Sequence, residues 1–299
     1  MWRLLLPVLL VGLSLPAWSA ERGEAPPPPP PKPFAVVFID AATEQALGEF
    51  PYDRRVYARG IEALAKAGAR GVVLKFFIDR PKSVEGDAAL ADAMTKTKVI
   101  LQARLDPEEP KPNAMLDRFY LKDVPLKDAR PVGAWAGWLP LPMLSERAYD
   151  LGFLDSTDSV ERVPVIERYG KDYVKSLYTA ALELATGSPA TFDASGVMRV
   201  GTGRIKFDEQ CMATIRLPKR DALKVYSFLD LLNGKTDGAA FKDRVVILGY
   251  DGAKMEENVT PIGKVKGHRL FCYQLFSLYE ELDKPEGRNS NVESSKKDE

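Results

Sequence analysis

The sequence predicts a single α/β domain, with a mixed, mostly parallel sheet flanked by helices. Two apolar runs of β-prone residues, Phe34–Ile39 and Arg244–Leu248, have the length and composition of buried strands. Strand and helix patterns alternate between residues 34 and 103, which is the order of parallel βαβ units. The periodic segments continue without an internal repeat, so we expect one domain over residues 34–283.

Residues 34–103 of this domain predict three strands separated by two helices. The first strand ends at Asp40, and Asp53 is a candidate N-cap because Tyr57, Ile61 and Leu64 follow it at helical spacing. The next elements are a strand, a short Ala-rich helix and a third strand, over residues 69–78, 87–95 and 99–103.

The middle of the chain is less regular. Residues 106–144 are rich in proline and charge, which predicts a long irregular insertion with short strands. Residues 171–186 then place Tyr173, Leu177 and Leu184 on one helical face, and Gly187 is a natural helix stop.

The last third of the domain contains five predicted elements. Residues 203–207 and 212–216 alternate in polarity and predict a hairpin. Ser227 is a candidate cap for a short helix over residues 228–232, which precedes the strand at residues 244–248. A final helix has its apolar face at Phe271, Leu275, Leu278 and Leu282.

The N-terminus has the three parts of a secretory signal peptide. A basic start at Arg3 precedes the apolar stretch Leu4–Leu15, and small residues lead to a cleavage site predicted after Ala20. An uncleaved membrane anchor is the alternative, although the apolar stretch is shorter than the roughly 20 residues that span a bilayer. A proline-rich linker over residues 21–33 follows, and no later segment is apolar enough to span. We therefore expect a periplasmic or secreted protein with a disordered tail over residues 284–299.

Composition excludes several functional classes. The 299 residues contain 42 Lys and Arg against 42 Asp and Glu, so no charge excess favours nucleic acid as a partner. His268 is the only histidine, which argues against a His/Cys zinc site, and no Gly-x-Ser-x-Gly motif is present. We therefore predict no metal, no cofactor and no catalytic residue, and we expect that the protein is not an enzyme.

Two cysteines, Cys211 and Cys272, leave two possibilities open. In an oxidising compartment they can form one disulfide. Their separation in the sequence neither supports nor excludes this pairing. The alternative is two buried thiols that pack as small apolar side chains.

Polar residues follow two predicted strands at the same edge of the sheet. Asp40 comes directly after the first strand, and Asp251 comes soon after the strand at residues 244–248. Ligands of open α/β sheets bind outside the carboxyl ends of the strands, and Arg54 near a helix start can meet either carboxylate or an anionic ligand. The more common use of such groups is a structural ion pair or cap, and that alternative stays open.

The order of short motifs resembles the CHASE2 domain family of extracytoplasmic sensor domains. A strand ending in Ile39-Asp40 is followed by Leu47-Gly48 and by Pro51-Tyr52 before the first long helix. Later motifs match in the same order, at Gly152, Asp158, Arg162, Gly249, Thr260-Pro261 and Gly267. The resemblance covers nearly the whole predicted domain. It implies an α/β sensor that is fused in typical relatives to transmembrane and output domains, whereas this chain has the form of a stand-alone sensor.

Two departures from the family pattern affect the expected ligand site. The family carries an Asp in its second strand where this chain has Lys75, and Asp79 lies four positions later. The family's late histidine corresponds to Phe271, and His268 is displaced from that position. The resemblance and the strand ends together give these ligand-binding candidates: Asp40, Arg54, Asp79, Asp158, Arg162, Asp251 and Thr260.

The sequence thus favours a non-catalytic sensory module outside the cytoplasm. Its expected ligand is an unknown small molecule or peptide, and its partner is a membrane receptor or another envelope protein. One alternative is an envelope interaction or structural domain that has lost ligand binding. A divergent hydrolase is a second and weaker alternative, because no catalytic motif supports it.

Overall fold

The central element of the fold is a seven-stranded sheet, seen in a computed structural model that describes residues 33–109, 111, 113–155, 159–219 and 223–282. The predicted signal peptide, the tail over residues 284–299 and nearly all of the predicted linker lie outside the described residues. So does the candidate ligand residue Asp158.

The strands, in chain order, are β1 (Phe34–Ile39), β2 (Gly71–Leu74), β3 (Val99–Asp106), β4 (Gly133–Ala134), β5 (Ala136–Trp138), β6 (Asp150–Phe153), β7 (Arg162–Pro164), β8 (Ile166–Tyr169), β9 (Asp172–Lys175), β10 (Thr191–Asp193), β11 (Val197–Val200), β12 (Gly203–Lys206), β13 (Met212–Thr214), β14 (Val225–Ser227), β15 (Val245–Tyr250), β16 (Glu257–Thr260) and β17 (Gly263–Lys266). The helices are α1 (Ala41–Leu47), α2 (Arg54–Lys66), α3 (Val84–Ala93), α4 (Pro142–Arg147), α5 (Leu177–Thr186), α6 (Phe228–Leu232) and α7 (Gly267–Leu282), with 3₁₀ turns at Asp117–Phe119 and Gly238–Ala240.

Six strands of the central sheet are parallel, in the order β14-β1-β15-β2-β3-β6. Strand β5 pairs antiparallel with the end of β3, which makes the sheet mixed. The late strand β15 lies between the early strands β1 and β2. The predicted α/β class, with a mostly parallel sheet flanked by helices, is confirmed.

The sheet is buried on both faces, which explains why its central strands are continuously apolar. All six residues of β1 and all six of β15 are buried. Alternate residues of β1 enter different cores, Val37 and Ile39 on one face and Val36 and Phe38 on the other.

Helices cover each face of the sheet. The first core packs α2, α3, α4 and α6 against the sheet through Leu64, Leu90, Leu144 and Phe228. The second core packs α5 and α7 against the opposite face through Leu182 and Leu275. Two cores of this kind allow a domain of about 250 residues to bury its apolar side chains.

Several predicted elements are present with small shifts in their ends. The Asp53 side chain accepts from the Arg55 backbone N–H and begins α2, as the helical spacing predicts. Gly187 ends α5 in the left-handed conformation, with φ of 74°. The predicted strand over residues 69–78 is shorter, Gly71–Leu74, and the helix predicted over 87–95 begins earlier, at Val84 after its cap Ser83.

Two local predictions are wrong. Residues 172–175 form strand β9 rather than the start of a helix, and α5 begins at Leu177, with Ser176 as its cap. The predicted hairpin of residues 203–207 with 212–216 is absent. Strand β12 instead pairs with β11, and β13 pairs with β7. Strand β9 forms a hairpin with its neighbour β8, and β12 forms one with its neighbour β11, whereas the partner of β13, strand β7, is distant in the sequence. In both places tertiary pairing overrides the local pattern.

The two cysteines are free, buried thiols in the structure. Both belong to the second core, where Cys211 precedes β13 and Cys272 lies within α7. The structure therefore has the second of the two arrangements that the sequence left open, and it contains no Cys211–Cys272 disulfide.

Candidate functional site

A cavity of about 610 Å³ lies beside the carboxyl ends of β15, β2 and β3. Its wall is rich in aromatic rings. The Phe50 and Tyr250 rings are stacked with centroids 4.2 Å apart, and the Tyr57 and Phe76 centroids are 5.2 Å apart. Tyr52 donates its backbone N–H to the Tyr57 hydroxyl at 3.1 Å. This volume is in the range that accommodates a small organic ligand.

Lys75 is the most unusual residue of this first cavity. It directly follows β2, and only 5% of it is exposed. Its Nζ donates to Gln102 Oε1 at 3.0 Å and lies 5.0 Å from the centroid of the Phe271 ring. No carboxylate among the described residues forms an ion pair with it. Desolvation lowers the pKa of Lys75 to about 7, against a small opposing effect of Cys272.

His268 lies in the first turn of α7 and also lines the first cavity. Its Nδ1 accepts the Tyr250 backbone N–H at 2.8 Å, so Nε2 carries the proton of the neutral ring. Burial, and then the nearby Lys75 amine, hold the pKa of His268 well below its ordinary value. The ring is therefore a neutral hydrogen-bond donor at physiological pH.

A second cavity, of about 390 Å³, shares one wall with the first. The shared wall consists of Lys75, Phe77, Gln102 and Met255, which line both cavities. The second cavity is the more polar of the two, because charged or amide groups surround it at Arg104, Asp155, Arg162 and Gln274.

Asp155 in the second cavity contacts a buried carboxyl group, that of Glu167. Glu167 is fully buried in β8, and no N–H or O–H of another described residue donates to its side-chain oxygens. The neighbouring Asp155 carboxyl acts on this group through its charge. Desolvation, followed by the charge of Asp155, raises the pKa of Glu167 well above its ordinary value. Both effects favour the protonated, neutral form of Glu167.

The comparison with family models decides the family. The model of the CHASE2 domain matches residues 12–285, which is nearly the whole of the 299-residue chain. The chain belongs to the CHASE2 domain family. CHASE2 domains are extracytoplasmic sensory domains. No curated protein and no solved structure matches the chain.

The described residues of the CHASE2 domain provide neither a membrane-spanning helix nor a cluster of metal ligands. In the part of the chain that the structure describes, no helix has both the length and the hydropathy needed to cross a bilayer. Over the same residues, no group of three or more His, Cys, Asp or Glu side chains is placed to hold a metal ion.

Two of the sequence-predicted residues line the first cavity of the CHASE2 domain. Arg54 is buried, and its Nη1 lies 2.5 Å from Asp87 Oδ1, so it meets neither of the carboxylates that were expected as partners. Its second amino group donates to the Arg80 backbone carbonyl. Asp79 also lines this cavity, and its carboxylate lies 3.6 Å from the Arg80 guanidinium.

Three other predicted residues make local structural bonds. Asp40 is the N-cap of α1 and accepts from the Thr43 backbone N–H at 2.9 Å. Asp251 pairs with Arg269, at 2.6 Å between Oδ2 and Nη2. Thr260 ends β16 and donates its hydroxyl to the Gly263 carbonyl at 2.6 Å. Neither cavity of the CHASE2 domain is lined by these three residues.

Among the predicted residues that the structure describes, Arg162 alone lines the second cavity. It belongs to β7, and its guanidinium pairs with Asp208 and donates to Gln210 at 2.9 Å. The six described candidates are therefore divided between two cavities and three local bonds, and these six do not form one site.

Sequence reasoning did not count Lys75, Gln102 or His268 among the ligand candidates, although all three line the first cavity. Lys75 was treated only as the loss of a family Asp, yet it supplies the buried amine of the first cavity. A charged residue directly after the apolar strand Gly71–Leu74 was the available signal. A position at the carboxyl end of a parallel strand makes such a residue a candidate ligand contact.

Proposed function

We propose that this CHASE2 domain is a non-catalytic sensory module that binds a small molecule in the first cavity. The observation that carries the proposal is the buried Lys75 amine without a carboxylate partner, in a cavity lined by aromatic rings. Apolar walls with a few placed polar groups are typical of ligand sites. The position outside the carboxyl ends of parallel strands is also the usual one in open α/β sheets.

A cavity-filling variant tests this proposal. Met255 lines both cavities, and Met255→Trp should fill part of the space that a ligand needs. We expect compounds that raise the melting temperature of the full-length wild-type protein to lose most of that effect on this variant, since ligand binding to the native state alone raises apparent stability.

The matched control is Met143→Trp. Met143 lies in α4, is 40% exposed and lines neither cavity, so the same substitution there should leave the compound response unchanged. If a compound stabilises wild type and both tryptophan variants equally, the first cavity is not its binding site.

The non-catalytic part of the proposal has its own support. The single histidine has Nδ1 engaged by a backbone N–H, which removes the usual general-base position of a neutral imidazole. A compound bound by the domain should be recovered unchanged after prolonged incubation, as measured by mass spectrometry. Its conversion would favour an enzyme instead.

We further propose that the protein is exported and that its signal peptide is cleaved after Ala20. Membership of an extracytoplasmic family and the apolar stretch Leu4–Leu15 support this location. Expression of the full chain in a bacterium should give a periplasmic or secreted product whose intact mass begins at Glu21. A membrane-bound product that retains residues 1–20 would show that the segment is an anchor.

A second candidate function is the binding of an envelope protein or a membrane receptor. Three exposed aromatic residues favour it: Phe77 and Trp138, which contact each other edge to face at 5.6 Å, and Trp135, which is 50% exposed. Photo-crosslinking from position 135 in cells separates the two candidates. One defined protein adduct supports the interaction surface, and its absence leaves the cavity as the functional site.

A further inference from the structure

The first cavity has an imbalance of charge that points to the chemistry of its ligand. Four cationic side chains line it, whereas Asp79 is the one carboxylate among the described lining residues; the cations are Arg54, Lys75, Arg80 and Lys82. Arg54 forms an ion pair with Asp87, which does not line the cavity, and the Arg80 Nε lies 3.6 Å from Asp79 Oδ2. Lys82 donates to the Pro51 and Tyr52 carbonyls. Lys75 is the buried cation that remains without a counter-charge.

The Lys75 amine has donor capacity that the described contacts do not use. An ammonium group has three N–H donors, of which one bonds to Gln102 and another side of the group faces the Phe271 ring. Burying a charge without a partner costs free energy. Two changes remove this cost: Lys75 loses its proton and becomes neutral, or an anion binds beside the charged amine.

A second unsatisfied group lies in the same cavity. Tyr52 is only 5% exposed and lines the cavity, yet its hydroxyl has no hydrogen-bond partner in the described structure. Desolvation raises the pKa of Tyr52 to about 12, so the hydroxyl keeps its proton and can donate it. A buried donor without an acceptor costs free energy that a ligand oxygen would recover.

We propose, on the basis of the binding function above, that the ligand is a small organic carboxylic acid with an apolar or aromatic body. Its carboxylate pairs with Lys75, and its body packs against the aromatic rings of Phe50, Tyr57, Phe76 and Tyr250. The ligand carboxylate supplies the negative charge beside Lys75 that no described residue provides. An oxygen of the ligand accepts a hydrogen bond from the Tyr52 hydroxyl.

Pairing with a carboxylate has a consequence for proton binding. Lys75 is about half neutral near pH 7, and a bound anion favours its charged form. The titratable groups that face Lys75, the Cys272 thiol and the His268 imidazole of α7, are both neutral in this range because burial disfavours their charged forms. Binding at pH 7 should therefore take up about half a proton per ligand, and much less at pH 5.5.

The test is calorimetry on the full-length protein with benzoate, phenylacetate and 2-naphthoate, each compared with its uncharged amide. We expect at least one acid to bind about ten-fold or more tightly than its amide, because a charge-assisted contact is worth roughly that factor. Lys75→Met should abolish the preference. Lys98→Met is the matched control, since Lys98 is exposed and outside the cavity, and it should retain the preference.

Each result separates this inference from the proposed function. An amide that binds as tightly as its acid, or an acid preference that survives Lys75→Met, overturns the carboxylate inference and leaves the cavity as a ligand site. Failure of every acid and every amide to bind overturns both. Measurement of proton uptake on wild type in phosphate and Tris buffers needs no variant, and equal heats in the two buffers at pH 7 also overturn the inference.

Discussion

At the scale of single residues, burial decides what a charged group can do in this domain. Lys75 and Glu167 are both at least 95% buried, and neither forms an ion pair of opposite charges within the described structure. Each group responds by favouring its neutral form, Lys75 by a lowered pKa and Glu167 by a raised pKa. Buried groups of this kind concentrate at functional sites, although structural examples also exist.

Glu167 leads to a prediction about pH and stability. The folded domain keeps the Glu167 proton above the pH at which the unfolded chain releases it, so the free energy of unfolding should fall as pH rises above about 4.5. Glu167→Gln mimics the protonated carboxyl group and should remove this pH-dependent fall in the free energy of unfolding. We compare the free energy of unfolding of the variant with that of wild type at each pH. This difference should be larger, in favour of the variant, at pH 7.5 than at pH 4.5, by on the order of 1 kcal/mol or more.

Urea denaturation at several pH values measures this effect. Glu62→Gln is the control, because Glu62 lies on the exposed side of α2 and water solvates it in both states. A difference between Glu167→Gln and wild type that is the same at every pH would show that Glu167 does not carry the proton.

At the scale of secondary-structure elements, the short helix α1 depends on its cap. The Asp40 carboxylate accepts from both the backbone N–H and the hydroxyl of Thr43, at 2.9 and 2.7 Å. The same Thr43 hydroxyl accepts the Leu229 backbone N–H at 3.2 Å, which joins α1 to α6. A helix of seven residues has little stability of its own, so these bonds hold its position.

We predict that Asp40→Ala lowers the free energy of unfolding by about 1 kcal/mol, the usual value of an N-cap, without weakening ligand binding. Asp40→Asn should retain most of the stability, since asparagine is an equally good cap. Chemical denaturation and calorimetry measure the two effects separately. Loss of ligand binding in a stable Asp40→Ala protein would instead make Asp40 a ligand contact, as the sequence first indicated.

At the scale of the whole molecule, the insertion of β15 between β1 and β2 creates the first cavity. It brings Tyr250 and His268, from the last fifth of the chain, beside Tyr57 and Lys75 from its first third. No local sequence pattern near any of these residues predicts that the early and late segments meet. The cavity is therefore a property of the strand order and not of one motif.

The sequence by itself determined the α/β class, the buried strands, the main helices and the family. Those features depend on local periodicity and on motif order, as in Phe34–Ile39 and in the Asp53 cap. Only the tertiary structure decided the partner of Arg54, the pairing of β13 with β7, and the place of Lys75 in a cavity. These results depend on contacts between distant segments, whose burial and geometry fix the pairings that local propensity leaves open.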